Sequence, residues 1–377
     1  MFSMKITDVE TIFADRFLFV RVHTDQGITG LGESGTWGYL EASAKVVEKY
    51  KKYLIGQDPL RIEHHWQYMY RWSHFRGAAI MGAISAIDIA LWDIAGKHFD
   101  TPVYQLLGGK TRDLARVYVH VFGNTSEELV RNAVRAKQLG FTAVGHISPF
   151  ILESPNMPHS KKMADAVERV KAYREALGDE VDICVEIHRQ LTPPEAIVLG
   201  RALEPLRPFF FEDPILPDSI DAMAHVASHI NIPIATGERI HTIFEFEELL
   251  SRNAVQYVRP DVCMAGGLTH CKKIAALAEA EYVTVAPHNP MGPVATAVNA
   301  QFAATAPTFL ILEYLVDTGS PRRDLVQEPY HIVDGYLELP TAPGFGIALN
   351  EEYCEKHPYK PWRRGLPLTP DGSIPLI

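Results

Sequence analysis

Short apolar runs alternate with helical stretches along most of the chain, from about residue 116 onward. Eight runs rich in Val, Ile and Phe are predicted strands: 117–122, 143–147, 183–188, 209–212, 233–237, 257–260, 284–287 and 309–313. Stretches with apolar residues at helical spacing lie between them, the clearest at 127–139, 164–177 and 269–280. The alternation predicts βα units and a parallel sheet. Eight such units favour a (β/α)8 TIM barrel, with a doubly wound open sheet as the alternative.

The first 115 residues follow a different pattern. Two apolar runs, at 17–24 and 28–33, flank Asp25-Gln26-Gly27 and predict a β-hairpin. Apolar residues at helical spacing predict a long helix over 79–98. We therefore expect a separate α+β domain over 1–115, the barrel over 116–320, and a proline-rich segment over 321–377 that packs back on the N-terminal domain.

Three glutamates end three successive predicted strands at a constant interval. Glu186, Glu212 and Glu238 are each 26 residues apart, about the length of one strand, turn and helix. Equivalent ends of parallel strands meet on one side of a sheet, so the three carboxylates are expected to converge. Converging carboxylates repel one another unless a cation lies between them, and an all-oxygen set suits Mg²⁺.

Ionisable residues also lie at or near the ends of other predicted strands: His120, His146, His188, Asp261, His288 and Glu313. Each of these alone could be a packed histidine or a salt-bridge partner. Their shared position is more informative, because burying a charge at the end of a strand costs free energy. Glu186 and His188 are two residues apart, so on a strand their side chains would share a face.

Composition and charge narrow the classes of function. The chain has 377 residues, a net charge of −10 and no large basic cluster, which argues against a nucleic-acid partner. Its apolar runs are shorter than a membrane span, and its start lacks a signal-peptide pattern. Four cysteines without paired spacing predict reduced thiols and a cytoplasmic location.

The ordered strand ends resemble those of the enolase superfamily, mandelate racemase subgroup. The resemblance rests on Glu212 within Phe-Glu-Asp-Pro, Glu238 within Gly-Glu-Arg, and the later Asp261, His288 and Glu313. Trp-Asp-Ile-Ala-Gly-Lys at 92–97 and Pro-Gly-Phe-Gly at 343–346 resemble further family segments. Within the family, Glu-Ile-His at 186–188 and Pro-His-Asn at 287–289 look most like acid-sugar dehydratases of the galactonate type.

The resemblance implies a barrel covered by an N-terminal capping domain, and a Mg²⁺ ion held by the three evenly spaced glutamates. The ion would hold the substrate carboxylate and stabilise the charge that develops when the neighbouring proton is removed. The implied substrate is a sugar acid, such as an aldonate, and the product a 2-keto-3-deoxy acid. The resemblance also implies a homo-oligomer.

It further implies roles for the remaining strand-end residues. His288 would be the base, oriented by Asp261, and His188 would protonate the departing 3-hydroxyl. Glu313 would hydrogen-bond the substrate carboxylate side and be protonated or share a proton.

Two departures from the family pattern affect these expectations. The second predicted strand carries His146 and lacks the Lys-x-Lys of many subgroup members, which disfavours a two-base racemase. The third strand has Glu186 where Asp is common. His146, Trp37 and Arg76 are candidate substrate-binding residues, with a structural salt bridge as the alternative for Arg76. The long loop at 149–162 could be a lid, a substrate contact or an insertion with no role. An epimerase or racemase of the same superfamily and a low-turnover binding or regulatory homologue remain as alternatives.

Overall fold

The computed structural model describes residues 4–150, 157–315, 322–327 and 330–362, with residues 365, 368 and 371–374. Part of the long loop at 149–162, residues 151–156, lies outside the described residues.

Eight parallel strands form the centre of the molecule. In chain order after three N-terminal strands they are β4 (Leu114–His120), β5 (Ala143–Ile147), β6 (Asp182–Glu186), β7 (Phe210–Glu212), β8 (Ile234–Thr236), β9 (Tyr257–Val258), β10 (Thr284–Val285) and β11 (Leu312–Tyr314). Each pairs with the next from β4 to β10, and β11 pairs with β4. A parallel bridge between Val285 and Phe309 joins the last two strands. The sheet therefore closes, which confirms the predicted barrel over the open sheet.

Helices follow the barrel strands: α5 (Ser126–Gln138), α6 (His159–Leu177), α7 (Pro193–Leu203), α8 (Ile220–Ala227), α9 (Ile243–Ser251), α10 (Gly267–Ala280) and α11 (Pro293–Thr305). Their ends show ordinary capping chemistry. Thr125, Ser219 and Thr242 each accept a hydrogen bond from a first-turn amide, which satisfies a donor that has no partner within the helix. The helical and strand periods read from the sequence thus correspond to real elements.

The N-terminal region is an antiparallel sheet packed on helices. Its strands are β1 (Ile6–Ala14), β2 (Phe17–Thr24) and β3 (Thr29–Ser34), and its helices are α1 (Leu40–Leu54), α2 (Ile62–Trp72), α3 (Ala78–His98) and α4 (Val103–Leu106). Gly30 and Gly32 let β3 lie against α3, because a Cβ at either position would fall 1.9 Å from a helix carbonyl. The hairpin prediction covered β2 and β3 and missed β1, whose buried positions are spaced irregularly.

Helix α3 is long and apolar enough to cross a membrane, but 78% of its most apolar window is buried inside the protein. It is packed by the N-terminal sheet and by α1, α2 and α10, which explains why it is hydrophobic on every side.

The segment after the barrel contacts both halves of the molecule. A hairpin of β12 (Ile332–Val333) and β13 (Tyr336–Glu338) pairs antiparallel with the start of β4. Further on, the Phe345 amide donates to the buried Asp93 carboxylate of α3 at 2.9 Å, and the last helix, α12 (Glu351–Lys356), lies near β1. The division at residues 115 and 320 stays a proposal.

Candidate active site

Three glutamates lie at the carboxyl ends of adjacent barrel strands. Glu186 ends β6 and Glu212 ends β7, where the two are register partners, and Glu238 follows β8. Burial and the charges of Glu212 and Glu238 raise the pKa of Glu186 well above its ordinary value. Burial raises the pKa of Glu212 to about 8, against the opposing effect of Arg259. The structure brings together the three carboxylates that the spacing singled out; their role as ligands stays a prediction.

Cationic side chains occupy oxygens of two of these glutamates and of the neighbouring Asp213. Arg189 donates to Asp213 at 2.7 Å and to Glu238, and Asp213 also accepts from Thr236 at 2.5 Å. Within the described part of the chain, no three His, Cys, Asp or Glu side chains are placed closely enough to hold one cation. In this arrangement Glu212 and Glu238 direct oxygens at arginine and histidine side chains, and Glu186 accepts from the His188 backbone amide.

Acidic groups nevertheless outnumber the buried arginines of the site. The buried or nearly buried carboxylates are Glu186, Glu212, Asp213, Glu238, Asp261 and Glu313, and the arginines are Arg189 and Arg259. Oxygen donors with excess negative charge suit a hard divalent cation such as Mg²⁺. The residues present thus fit the metal that the family resemblance implies.

His288 and Asp261 form a hydrogen-bonded pair on neighbouring strands. The two residues are partners in a parallel bridge, and His288 Nδ1 lies 2.7 Å from Asp261 Oδ2. Burial lowers the pKa of His288, but Glu238, Glu313 and Asp261 outweigh it and raise the pKa to about 9. His288 Nε2 lies 3.3 Å from Glu238 Oε2, so the second ring nitrogen faces the carboxylate group. This is the arrangement of an oriented histidine base.

His188 reaches the site by a different route from the one predicted. Strand β6 ends at Glu186, and His188 and Arg189 have left-handed backbone, with φ of 57° and 67°. The expected sharing of one strand face is therefore wrong, because the turn re-aims the chain after Glu186. The His188 amide instead donates to Glu186 Oε1 at 2.6 Å, which ties the turn to the carboxylate. Such backbone in non-glycine residues is concentrated at functional sites.

His146 lies in an aromatic wall at the ends of the first three barrel strands. Its ring stacks on His120 at 4.8 Å and 8°, contacts Phe122 at 5.3 Å, and meets His188 edge-on at 6.0 Å. Burial, and then the neighbouring His120 and His188, lower the pKa of His146 to about 3. His146 is thus a neutral group at neutral pH, and its backbone is also left-handed, with φ of 54°.

Glu313 differs from its expected protonation. His120 Nε2 lies 2.6 Å from one carboxylate oxygen, and Arg259 and the Asn289 amide donate to the other at 2.6 and 2.9 Å. Burial raises the pKa of Glu313, but His288, Arg259 and His120 outweigh it and hold the pKa well below its ordinary value. The expectation of a protonated Glu313 is wrong for this arrangement, because each of its partners stabilises the anion.

The two N-terminal candidates lie in different settings. Trp37 belongs to a loop that reaches the barrel, where the Gly35 amide donates to the Cys263 carbonyl at 3.1 Å, two residues after Asp261. Its ring lies 6.3 Å from that of Trp362. Arg76 is exposed and lies over the Tyr70 ring at 4.5 Å. Substrate contact by either residue stays a prediction.

Sequence reasoning missed the two site arginines and one acid. Arg189 directly follows His188, and Arg259 precedes Asp261 by two residues, but only acids and histidines were sought at strand ends. The buried Glu33 on β3 accepts from the Gly292 and Ala295 amides at the start of α11, at 2.5 and 3.0 Å. These hydrogen bonds from Glu33 hold the backbone just beyond His288 in place. No spacing pattern in the sequence indicates this role for Glu33.

Two family models match the two regions of the chain. "Mandelate racemase / muconate lactonizing enzyme, N-terminal domain" matches residues 3–108, and "Enolase C-terminal domain-like" matches residues 128–353. The chain belongs to the enolase superfamily, in the mandelate racemase and muconate lactonizing enzyme group.

Individual relatives are similar to this chain over nearly its whole length. D-galactonate dehydratase of Variovorax paradoxus is 38% identical, covering 98% of this chain and 99% of that protein, and the D-galactonate dehydratase of Pectobacterium atrosepticum is 36% identical with the same coverage. Among solved structures, an enolase from Agrobacterium radiobacter, bound to sodium and L-malate, has a TM-score of 0.94 at 34% identity and covers 99% of this chain and 100% of that one. An enolase superfamily member from Salmonella Typhimurium has a TM-score of 0.88 at 32% identity, covering 94% and 98%.

Proposed function

We propose that this protein is a Mg²⁺-dependent dehydratase that converts a sugar acid, such as D-galactonate or a related aldonate, to a 2-keto-3-deoxy acid. The observation that carries the proposal is the pairing of His288 with Asp261 beside the carboxylate group, while His188 stands at the end of a different strand. Near-full-length similarity to D-galactonate dehydratases supports the same reaction. We further propose a cytoplasmic, homo-oligomeric enzyme.

Glu186, Glu212 and Glu238 would hold the Mg²⁺ ion. Their burial and mutual repulsion, expressed in the raised pKa of Glu186, are what a bound divalent cation would relieve. When bound, the ion supplies Lewis-acid stabilisation of the negative charge that develops on the substrate carboxylate.

His288 removes the proton from the carbon next to the substrate carboxylate. Its Nδ1–H donates to Asp261 at 2.7 Å, which leaves Nε2 free of a proton when the ring is neutral and directs it toward the site. The carboxylate of Asp261 also stabilises the imidazolium that forms when the proton is taken.

His188 protonates the 3-hydroxyl as it departs. The bond between C3 and oxygen breaks, water leaves, and the electrons from the C2–H bond form the enol, which becomes the 2-keto acid when C3 takes a proton. Glu313 acts as an anion that orients His120 and the Asn289 amide, since both its oxygens already accept hydrogen bonds.

A panel of aldonic and aldaric acids tests the proposal. The protein is incubated with Mg²⁺ and each acid, and 2-keto-3-deoxy product is measured. We expect product from at least one acid, with His288→Asn as the inactive control. If metal binds and no acid gives product, the proposal fails in favour of a low-turnover binding homologue.

A further inference from the structure

Arg259 is a buried cation beneath the site that the proposed reaction does not use. The residue follows β9, and its side chain is fully buried, with 0% exposure. Its guanidinium lies 2.7 Å from Glu212 Oε1 and donates to Glu313 Oε2 at 2.6 Å. In the sheet β9 lies two strands from β7 and two strands from β11, so the side chain spans the barrel between two carboxylates.

The surroundings of Arg259 suit a planar guanidinium. The group lies over the rings of Tyr118 and Phe210, at 5.7 and 5.9 Å, and these rings also contact each other. Tyr118 fits there because residue 145 is glycine; a Cβ on Gly145 would fall 2.3 Å from the Tyr118 ring. Arginine can stack on aromatic faces and donate along separate directions, which a lysine ammonium does less well.

Glu313 connects Arg259 to the side of the site that carries the histidines. It accepts from the Asn289 amide, the residue after His288, and it pairs with His120. Arg259 thus lies in one continuous chain of buried polar contacts that runs from Glu212 to the backbone beside the proposed base. Such a chain holds each member in one orientation only while its charges stay balanced.

We infer that Arg259 is a positioning residue that holds Glu212 and Glu313 at a fixed separation and so couples the cation-binding side of the site to the His288 side. The inference rests on the proposed function only in taking Glu212 as a cation ligand. Without the guanidinium, two buried carboxylates lose their shared counter-charge, and removing one partner of a buried ion pair is strongly destabilising.

Thermal unfolding of Arg259→Met, with and without divalent cation, tests this coupling. In EDTA we expect the midpoint to fall by about 5 °C or more below the wild type, because the carboxylates are uncompensated. In saturating Mn²⁺ the fall should be smaller, since the ion supplies part of the missing charge at Glu212. The matched control is Arg112→Met, whose guanidinium donates to backbone carbonyls and should give equal falls in both conditions.

A second substitution separates charge balance from packing. Arg259→Met with Glu313→Gln removes one cation and one anion together, and we expect the double variant to recover most of the midpoint lost in EDTA. Arg259→Lys should lose less than Arg259→Met. If Arg259→Met cannot be isolated as a folded protein, the double variant decides the question. A folded double variant supports the inference, and a double variant that also fails to fold overturns the inference.

Equal falls in EDTA and Mn²⁺, or no recovery in the double variant, would overturn the inference and leave Arg259 as a space-filling side chain. None of these readouts requires turnover. If the protein dehydrates sugar acids but the double variant does not recover the unfolding midpoint, the proposed function stands and the inference fails. If the double variant recovers the midpoint but no sugar acid turns over, the inference stands and the proposed function fails.

Discussion

Two histidines of the same site have opposite environments. His288 contacts the carboxylates of Asp261 and Glu238, and its pKa is raised to about 9. His146 stacks on His120 and contacts Phe122, and its pKa is lowered to about 3. Both side chains are largely buried, so burial alone does not decide their charge. The difference comes from the neighbours, because nearby anions favour the imidazolium and nearby histidines disfavour it.

The contrast between the two histidines distinguishes one side of the site from the other. A base needs a partner that stabilises its protonated form, and His288 has two, whereas protonated His146 would lie among other histidines. We therefore place proton removal on the His288 side and treat the His146 side as a neutral wall against which the sugar chain would lie. The predictions below test this asymmetry, from the largest expected effect to the smallest.

Substitution of His288 by Asn should reduce kcat by about 10³-fold or more, because the base is lost while the fold is kept. The same substitution at the exposed His98 serves as the control and should leave kcat unchanged. Steady-state kinetics on the sugar acid that turns over provides the measurement. A residual kcat within tenfold of the wild type would place the base elsewhere.

Substitution of Asp261 by Asn should reduce kcat/KM by about 10²-fold, since His288 loses the anion that fixes its tautomer and stabilises its imidazolium. Loss of this anion also lowers the pKa of His288, so the acid limb of the pH profile should move to lower pH. An unchanged acid limb would mean that Asp261 does not act on the base.

The two histidines should affect stability with opposite dependence on pH in metal-free protein. For His288 the folded pKa exceeds the ordinary 6.5, so its contribution is present below pH 6.5 and is lost as pH rises through 9, by about 3 kcal/mol in all. For His146 the folded pKa is depressed, so stability is lost as pH falls below 6.5 toward 3.

Unfolding of His288→Asn and His146→Asn across pH measures these dependences. The first variant should flatten the alkaline side of the profile and the second the acid side. A loss of the acid-side slope in His288→Asn would reverse the assignment.

Substitution of His146 by Asn should lower kcat/KM about tenfold, chiefly through KM, as expected for one lost contact to a substrate hydroxyl. A fall in kcat approaching that of His288→Asn would show that the wall takes part in proton transfer.

Much of this site could be predicted from the order of strand ends. Parallel strands with short connections bring their carboxyl ends together, so the constant 26-residue interval was enough to group Glu186, Glu212 and Glu238. The pairing of Asp261 with His288 came instead from the family resemblance, and in the structure the two residues are partners in a bridge just beyond adjacent strands. These features depend on topology, which the hydrophobic pattern encodes.

The features that sequence reasoning missed depend on side-chain direction. Glu313 was expected to be protonated or to share a proton, and its charge follows from His288, Arg259 and His120, which approach it from other strands. The left-handed turn at His188 breaks the strand alternation that the prediction assumed. The charge of Glu313 depends on residues distant in sequence, and the turn is a change of backbone conformation, so neither could be read from residue spacing.

Proton NMR of a sugar acid turning over in D2O with Mg²⁺ tests the one-sided assignment most directly. We predict a 2-keto-3-deoxy acid with deuterium at C3, and recovered substrate with unchanged configuration at C2. Recovered substrate that is deuterated and inverted at C2 would contradict the account, because it requires a second base on the His146 side.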